Sequence, residues 1–138
     1  MVFEMTEEPL GLRIEFSSIM SNIDVVDAAT REFLARMNLS SHAFAICLVM
    51  REALTNAVRH GNRFDDTKLV IYHIYLNDES IVLDIIDQGN GFVWKDFVKM
   101  ETPEPDQESG RGLAIMKNYF SSWLFNEKGN QIILTKKI

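Results

Sequence analysis

Cysteine is almost missing from this chain of 138 residues: Cys47 is the one example. No intrachain disulfide can form, and the plain reading is a reducing, intracellular setting. Proline is scarce too, with three in all, and two of them, Pro103 and Pro105, fall in one short tract. Bases are the minority among the charges, 14 Lys and Arg against 20 Asp and Glu. The formal net charge of -6, with no basic run, argues against direct binding of nucleic acid. No apolar run approaches the roughly 18 residues of a membrane span. The start, MVFEMTEEPLG, has acids where a signal peptide has bases. Repeats and low-complexity tracts are missing. So are G-x-x-x-x-G-K-[ST], a G-x-G-x-x-G after a strand, and the H-R-D and D-F-G pair. No Ser–His–Asp arrangement and no Cys/His metal cluster is suggested. What remains is a cytoplasmic globular chain of one domain, residues 1–138, of ordinary composition.

The most informative stretch is Ser40 to Asn62, SSHAFAICLVMREALTNAVRHGN. It reads as one long helix. Ser40 or Ser41 can cap its start, and Gly61 can end it in the left-handed conformation. Its first half is apolar almost all round, from Phe44 to Met50, which predicts burial on most sides. Glu52 and Asn56 then follow four residues apart, on one face flanked by Ala45, Val49 and Ala53. A carboxylate and an amide set in a core-like surface need partners.

Before this helix, Leu12, Ile14 and Phe16 alternate with polar residues as in a half-buried strand. Ser21 or Asn22 can cap a helix with Val26, Ala29, Phe33 and Met37 on one stripe, and Asn38 can stop it. After it, Leu69–Leu76 and Ser80–Asp87 predict an antiparallel hairpin turning at 77–79. A short helical turn is expected near 93–98. Residues 99–110 form a proline-containing, acid-rich loop, and Gly112 to Ser121 returns to helix. The end, WLFNEKGNQIILTKKI, reads as a second hairpin turning at Lys128-Gly129. Runs of strands favour an α+β fold, a two-layer sandwich whose mostly antiparallel, mixed sheet carries about three helices on one face.

Three constellations can carry chemistry. Glu52 can act as a general base beside Asn56, whose amide oxygen suits Mg2+. The bland alternative pairs Glu52 with Arg51, Arg59 or Arg111. His60 falls in the last helical turn, where a cation complements the dipole, and is not assigned a catalytic role. Asp87 shares a strand face with Ile81, Leu83 and Ile85 and ends in D-Q-G-N-G, where Gly89 and Gly91 allow close ligand approach. The alternative is a tight Asx turn. Ser109 to Leu113, S-G-R-G-L, opens a helix with exposed amides and Arg111, a setting suited to phosphate, or else is a plain hinge.

The order of these motifs is more specific than any one of them. REALTNAVRHGN (Arg51 to Asn62), DQGNGF (Asp87 to Phe92) and SGRGLAIM (Ser109 to Met116) resemble the GHKL ATP-binding superfamily, and within it the bacterial anti-sigma-factor serine/threonine kinases. The likeness runs over nearly the whole chain. It implies ATP and Mg2+ as cofactors, with Glu52 as general base and Asn56 as the metal ligand. Asp87 would read the adenine amino group, Gly89 and Gly91 would shape its pocket, and residues 99–110 would form a lid. Ser109, Gly110, Arg111, Gly112 and Leu113 would meet the phosphates, with Arg111 also catalytic. The resemblance implies a STAS-domain anti-anti-sigma protein as substrate, a sigma factor as partner, and a homodimer.

The chain departs from the pattern in three places. Glu108 stands where some members have an arginine directed at the γ-phosphate. Glu101, Glu104, Asp106 and Glu108 make the lid acidic. Gly129-Asn130-Gln131 replaces a frequent Gly-Thr. The first departure favours an alternative, a non-catalytic ATP-binding partner-switch protein. A histidine-kinase ATP domain ranks lower, because no dimerising phospho-acceptor helix pair precedes the first strand.

Overall fold

The structure, a computed structural model, describes residues 1–91 and 119–138. The expected turn at 93–98, the lid at 99–110, the Ser109–Leu113 segment and nearly all of the helix from Gly112 lie outside the described residues.

Among the described residues six strands form one sheet in the order β1-β2-β3-β4-β6-β5, and the five pairings there are antiparallel. They are β1 (Phe3–Glu8), β2 (Gly11–Ser17), β3 (Leu69–Asn77), β4 (Ser80–Asp87), β5 (Ser122–Phe125) and β6 (Gln131–Lys137). Period-two alternation builds the sheet. Ile14, Tyr72, Ile85 and Ile132 sit in cross-strand register and are all buried, as are Leu12, Ile74, Leu83 and Leu134 in the next row. The α+β expectation holds. So do both hairpins, the first turning through Asp78 at φ 54° and the second through Gly129 at φ 83°.

β1 is an addition to the sequence reading. It is an edge strand with acids at Glu4, Glu7 and Glu8, and Phe3 and Met5 remain exposed. Charges on an edge oppose pairing with another chain, but they also erase the alternation that reveals a strand.

Helices α1 (Ser21–Arg36) and α2 (Ala43–Asn56) lie on one face of the sheet, and their apolar stripes merge with it into one core. Thr30 on α1 is fully buried, and its hydroxyl meets the Tyr72 hydroxyl of β3 at 2.9 Å, so both polar atoms are satisfied inside that core. Asn38 stops the first helical region as expected, at φ 64°. The caps differ from expectation. Met20 is the N-cap of α1 with no side-chain cap bond, and Asn22 instead donates to the Ser17 carbonyl at 3.0 Å.

The long helix is three pieces rather than one. Ser40–His42 is a 3-10 turn, α2 follows, and Ala57–Gly61 widens into a π turn. Neither Ser40 nor Ser41 makes a capping bond. Gly61 does not take the left-handed conformation; Arg63 (φ 52°) and Phe64 (φ 59°) do. Burial on most sides holds for Ala45, Ile46, Cys47, Val49 and Met50 but fails at Phe44, which is 67% exposed. Burial pushes the Cys47 thiol up to about 11, so it stays protonated and unreactive at neutral pH.

Candidate nucleotide site

α2 carries two of the residues singled out above. Glu52 is half-buried. Asn56, one turn on, closes the helix and is only 2% exposed. Among the described residues its side-chain amide has no hydrogen-bond partner. Buried amides are nearly always satisfied, so an orphan here marks a place where another group completes the set.

Arg51 holds this part of α2 to α1. Its Nε donates to Asp27 Oδ2 at 2.8 Å and its Nη2 to Asp24 Oδ1 at 2.9 Å, while Arg31 Nε takes the other Asp27 oxygen at 2.7 Å. Burial alone pushes the Asp27 carboxyl up, but the bonds from Arg31 and Arg51 outweigh it and hold the group below its ordinary value. A carboxyl with a lowered folded-state pKa stabilises above its unfolded value of 3.8, and that contribution is lost as pH falls through the folded value. Asp27→Asn is therefore expected to lower unfolding free energy by about 1–2 kcal/mol at pH 7, allowing for the exposed arginines. The deficit should shrink below pH 4. Urea titration at the two pH values checks both statements.

The π turn brings the end of the α2 region onto the end of β4. Asp87 is 3% exposed, and its Oδ1 accepts the Gly89 N–H at 2.8 Å. A side chain at Gly61 would run into this carboxylate, and one at Gly89 would run into the Gly61 carbonyl. Gly91 has φ 89° and lies under the Lys128 carbonyl. These glycines are needed for proximity, and at Gly91 for its dihedral as well. Burial pushes the Asp87 carboxyl up to about 6, with the Gly89 amide, Lys128 and Lys68 pulling the other way.

Two asparagines to which the sequence reading gave no bonding role frame this corner. Asn62 is 1% exposed and bonds Ser18, Leu69 and Gln88. Asn130 exchanges bonds with the Asp87 backbone: its carbonyl takes the Asp87 N–H at 2.9 Å and its Nδ2 donates to the Asp87 carbonyl at 3.0 Å. Asn126 in turn accepts the backbone N–H groups of Gly129, Asn130 and Gln131. The departure at 129–131 thus supplies a clamp on β4. A signal existed in both cases, an asparagine directly after a glycine at the edge of a secondary-structure element.

Three of the predicted centres, Glu52, Asn56 and Asp87, belong to elements that meet at one end of the sandwich. Ser109, Gly110, Arg111, Gly112 and Leu113 lie outside the described residues. His60 lies on the π turn, where partial desolvation of its ring, then Arg59, holds its imidazole below the ordinary value. No cluster of three or more His, Cys, Asp or Glu suited to a metal occurs among the described residues. One buried amide oxygen still fits Mg2+, which typically keeps waters and substrate phosphates as its other ligands.

An antiparallel sheet backed by helices on one face, with buried polar groups where a helix end meets a strand end, is the architecture of a GHKL-type nucleotide-binding domain. Residues 16–136 match the histidine kinase-like ATPase domain, and the chain belongs to that family. Among curated proteins it is similar to the anti-sigma F factor of Clostridium perfringens (strain 13 / Type A), at 27% identity over 134 residues, 92% of this chain and 96% of the relative. It is 28% identical to that of Bacillus subtilis (strain 168), over 92% of both chains. Against that of Bacillus cytotoxicus it is 29% identical over 91% of this chain and 90% of the relative. No helix among the described residues is long and apolar enough to cross a membrane.

Proposed function

We propose that the protein is an ATP-dependent serine kinase and anti-sigma factor. It phosphorylates a STAS-domain anti-anti-sigma protein and sequesters a sigma factor. The names of its relatives support the anti-sigma role. The observation that carries the nucleotide reading is the buried, unpartnered amide of Asn56 at the end of the helix that bears Glu52.

In this reading Asp87 accepts a hydrogen bond from the adenine amino group, with Gly89 and Gly91 letting the base approach. Residues 99–110 close as a lid, and Ser109 to Leu113 cradle the phosphates. Mg2+, when bound through Asn56, neutralises phosphate charge. Glu52 accepts the proton of the incoming serine hydroxyl as the serine O–P bond forms and ADP leaves, and Arg111 stabilises the transferred charge. Phosphoryl transfer depends mainly on such positioning and electrostatics. The protein works in the cytoplasm, as a single domain that forms homodimers.

Incubation with Mg-ATP and a cognate STAS protein, followed by mass spectrometry, should reveal a phosphoserine. Nucleotide binding without any phosphoserine supports the second reading, a non-catalytic partner switch, which Glu108 in place of an arginine favours. Asn56→Ala is expected to abolish the Mg2+-dependent part of ATP affinity in calorimetric titration. An unchanged affinity with Mg2+ removes Asn56 from the metal.

A further inference from the structure

We infer that Asn62 is a positioning residue that fixes the base side of the nucleotide site to the helix carrying Glu52 and Asn56. The inference rests on the nucleotide reading above and goes beyond it, because Asn62 has no place among the binding groups.

The Asn62 side chain bonds in three directions. Its Nδ2 donates to Ser18 Oγ at 2.6 Å and to the Leu69 carbonyl at 3.0 Å, and its Oδ1 accepts the Gln88 N–H at 2.8 Å. These partners stand at the end of β2, the start of β3 and directly after Asp87. Ser18 Oγ passes the chain on to the Lys68 carbonyl at 2.9 Å. The backbone of Asn62 also faces the helix, its N–H closing the π turn on the Ala57 carbonyl at 2.8 Å.

One buried residue therefore joins the helix end to the peptide that follows Asp87. Asn56 lies directly before that π turn, and Asp87 directly before Gln88. With Asn62 in place, its bond to the Gln88 N–H ties the two ends of the site, and its bonds to Ser18 and Leu69 hold the asparagine itself in place. Contact of Gly61 with Asp87 and Gly89 closes the same joint sterically. Loss of the amide leaves the Gln88 N–H without this partner and frees the Asp87–Gly89 turn to shift.

A buried amide with three bonds adds stability whatever the site binds, so a fall in melting temperature decides nothing. Base discrimination does. ATP and ITP share the triphosphate and differ where adenine has an amino group and hypoxanthine an oxygen. Their affinity ratio reports the placement of Asp87, and it is unaffected when part of the protein is unfolded.

Calorimetry with both nucleotides, well below the unfolding midpoint, is the test. The wild type should prefer ATP by tenfold or more. Asn62→Ala should weaken ATP by about 10–100-fold, the scale of a roughly 1 Å misplacement, and bring the preference to within about threefold. Ser18→Ala, which removes one partner and leaves the Gln88 bond, should lower the preference about threefold, and it carries the test where Asn62→Ala does not fold. ATP binding with the wild-type preference intact in these variants overturns the inference and spares the nucleotide reading. No ATP binding by the wild type overturns both.

Discussion

Glu52→Ala is expected to slow phosphoryl transfer to a STAS partner by roughly 10²–10⁴-fold, the range for losing a general base. That is about 3–5 kcal/mol of transition-state stabilisation. The side chain is half-buried, one turn before Asn56, so its removal opens little cavity and leaves the α1–α2 clamp at Arg51 intact. Under the proposed reading nucleotide affinity should persist, because Glu52 as proton acceptor would contact the hydroxyl nucleophile rather than the bound base. Single-turnover transfer, with ATP affinity measured separately, separates the two quantities. Transfer at the wild-type rate sinks the assignment. A parallel loss of ATP affinity places Glu52 among the binding groups instead.

Asp87→Asn should move stability and binding in opposite directions. The carboxyl titrates at 3.8 in a free chain and at about 6 in the fold. A raised carboxyl pKa means that the folded state holds the proton more tightly. Its contribution to stability is complete below pH 3.8 and is lost as pH rises through about 6. At pH 7.5 the buried, ionised group then costs on the order of 3 kcal/mol. Asparagine can still accept the Gly89 N–H, without the charge. The variant should gain up to about 3 kcal/mol at pH 7.5 and nothing near pH 4, by denaturant titration. If Asp87 reads the base as proposed, ATP affinity should fall roughly 10²-fold, because the amide nitrogen would meet the adenine amino group donor to donor. Undiminished ATP affinity would remove Asp87 from base recognition, whatever happens to stability.

The sequence revealed what periodicity can reveal. β2, β3, β4 and β6 alternate because one face is buried, and Asp87 stood out because it shares that face with Ile81, Leu83 and Ile85. Glu52 and Asn56 were legible as polar groups in an apolar stripe. β1 was not, since an exposed edge strand has little alternation to show. The widening of the helix after Asn56 was also hidden. Residues 57–61 have ordinary helical composition, and the π turn is stabilised by what Gly61 and Asn62 meet on β2, β3 and β4. The Asn22 cap failed for a similar reason, as its side-chain amide donates to the Ser17 carbonyl before the helix instead. Asn62 read as a helix end because its partners are 7, 26 and 44 residues away.

The contact between Gly61 and Gly89 has an evolutionary consequence. One carbonyl fills the space that a side chain on the other residue would need, and Asp87 fills the space beside the first. Neither position accepts a side chain unless the facing backbone or Asp87 shifts, so residues 61–62 and 87–91 are fitted to each other. A chimera between this chain and a distant relative should exchange the two segments together. Grafting the strand end without the helix end would join two surfaces that never adapted to each other.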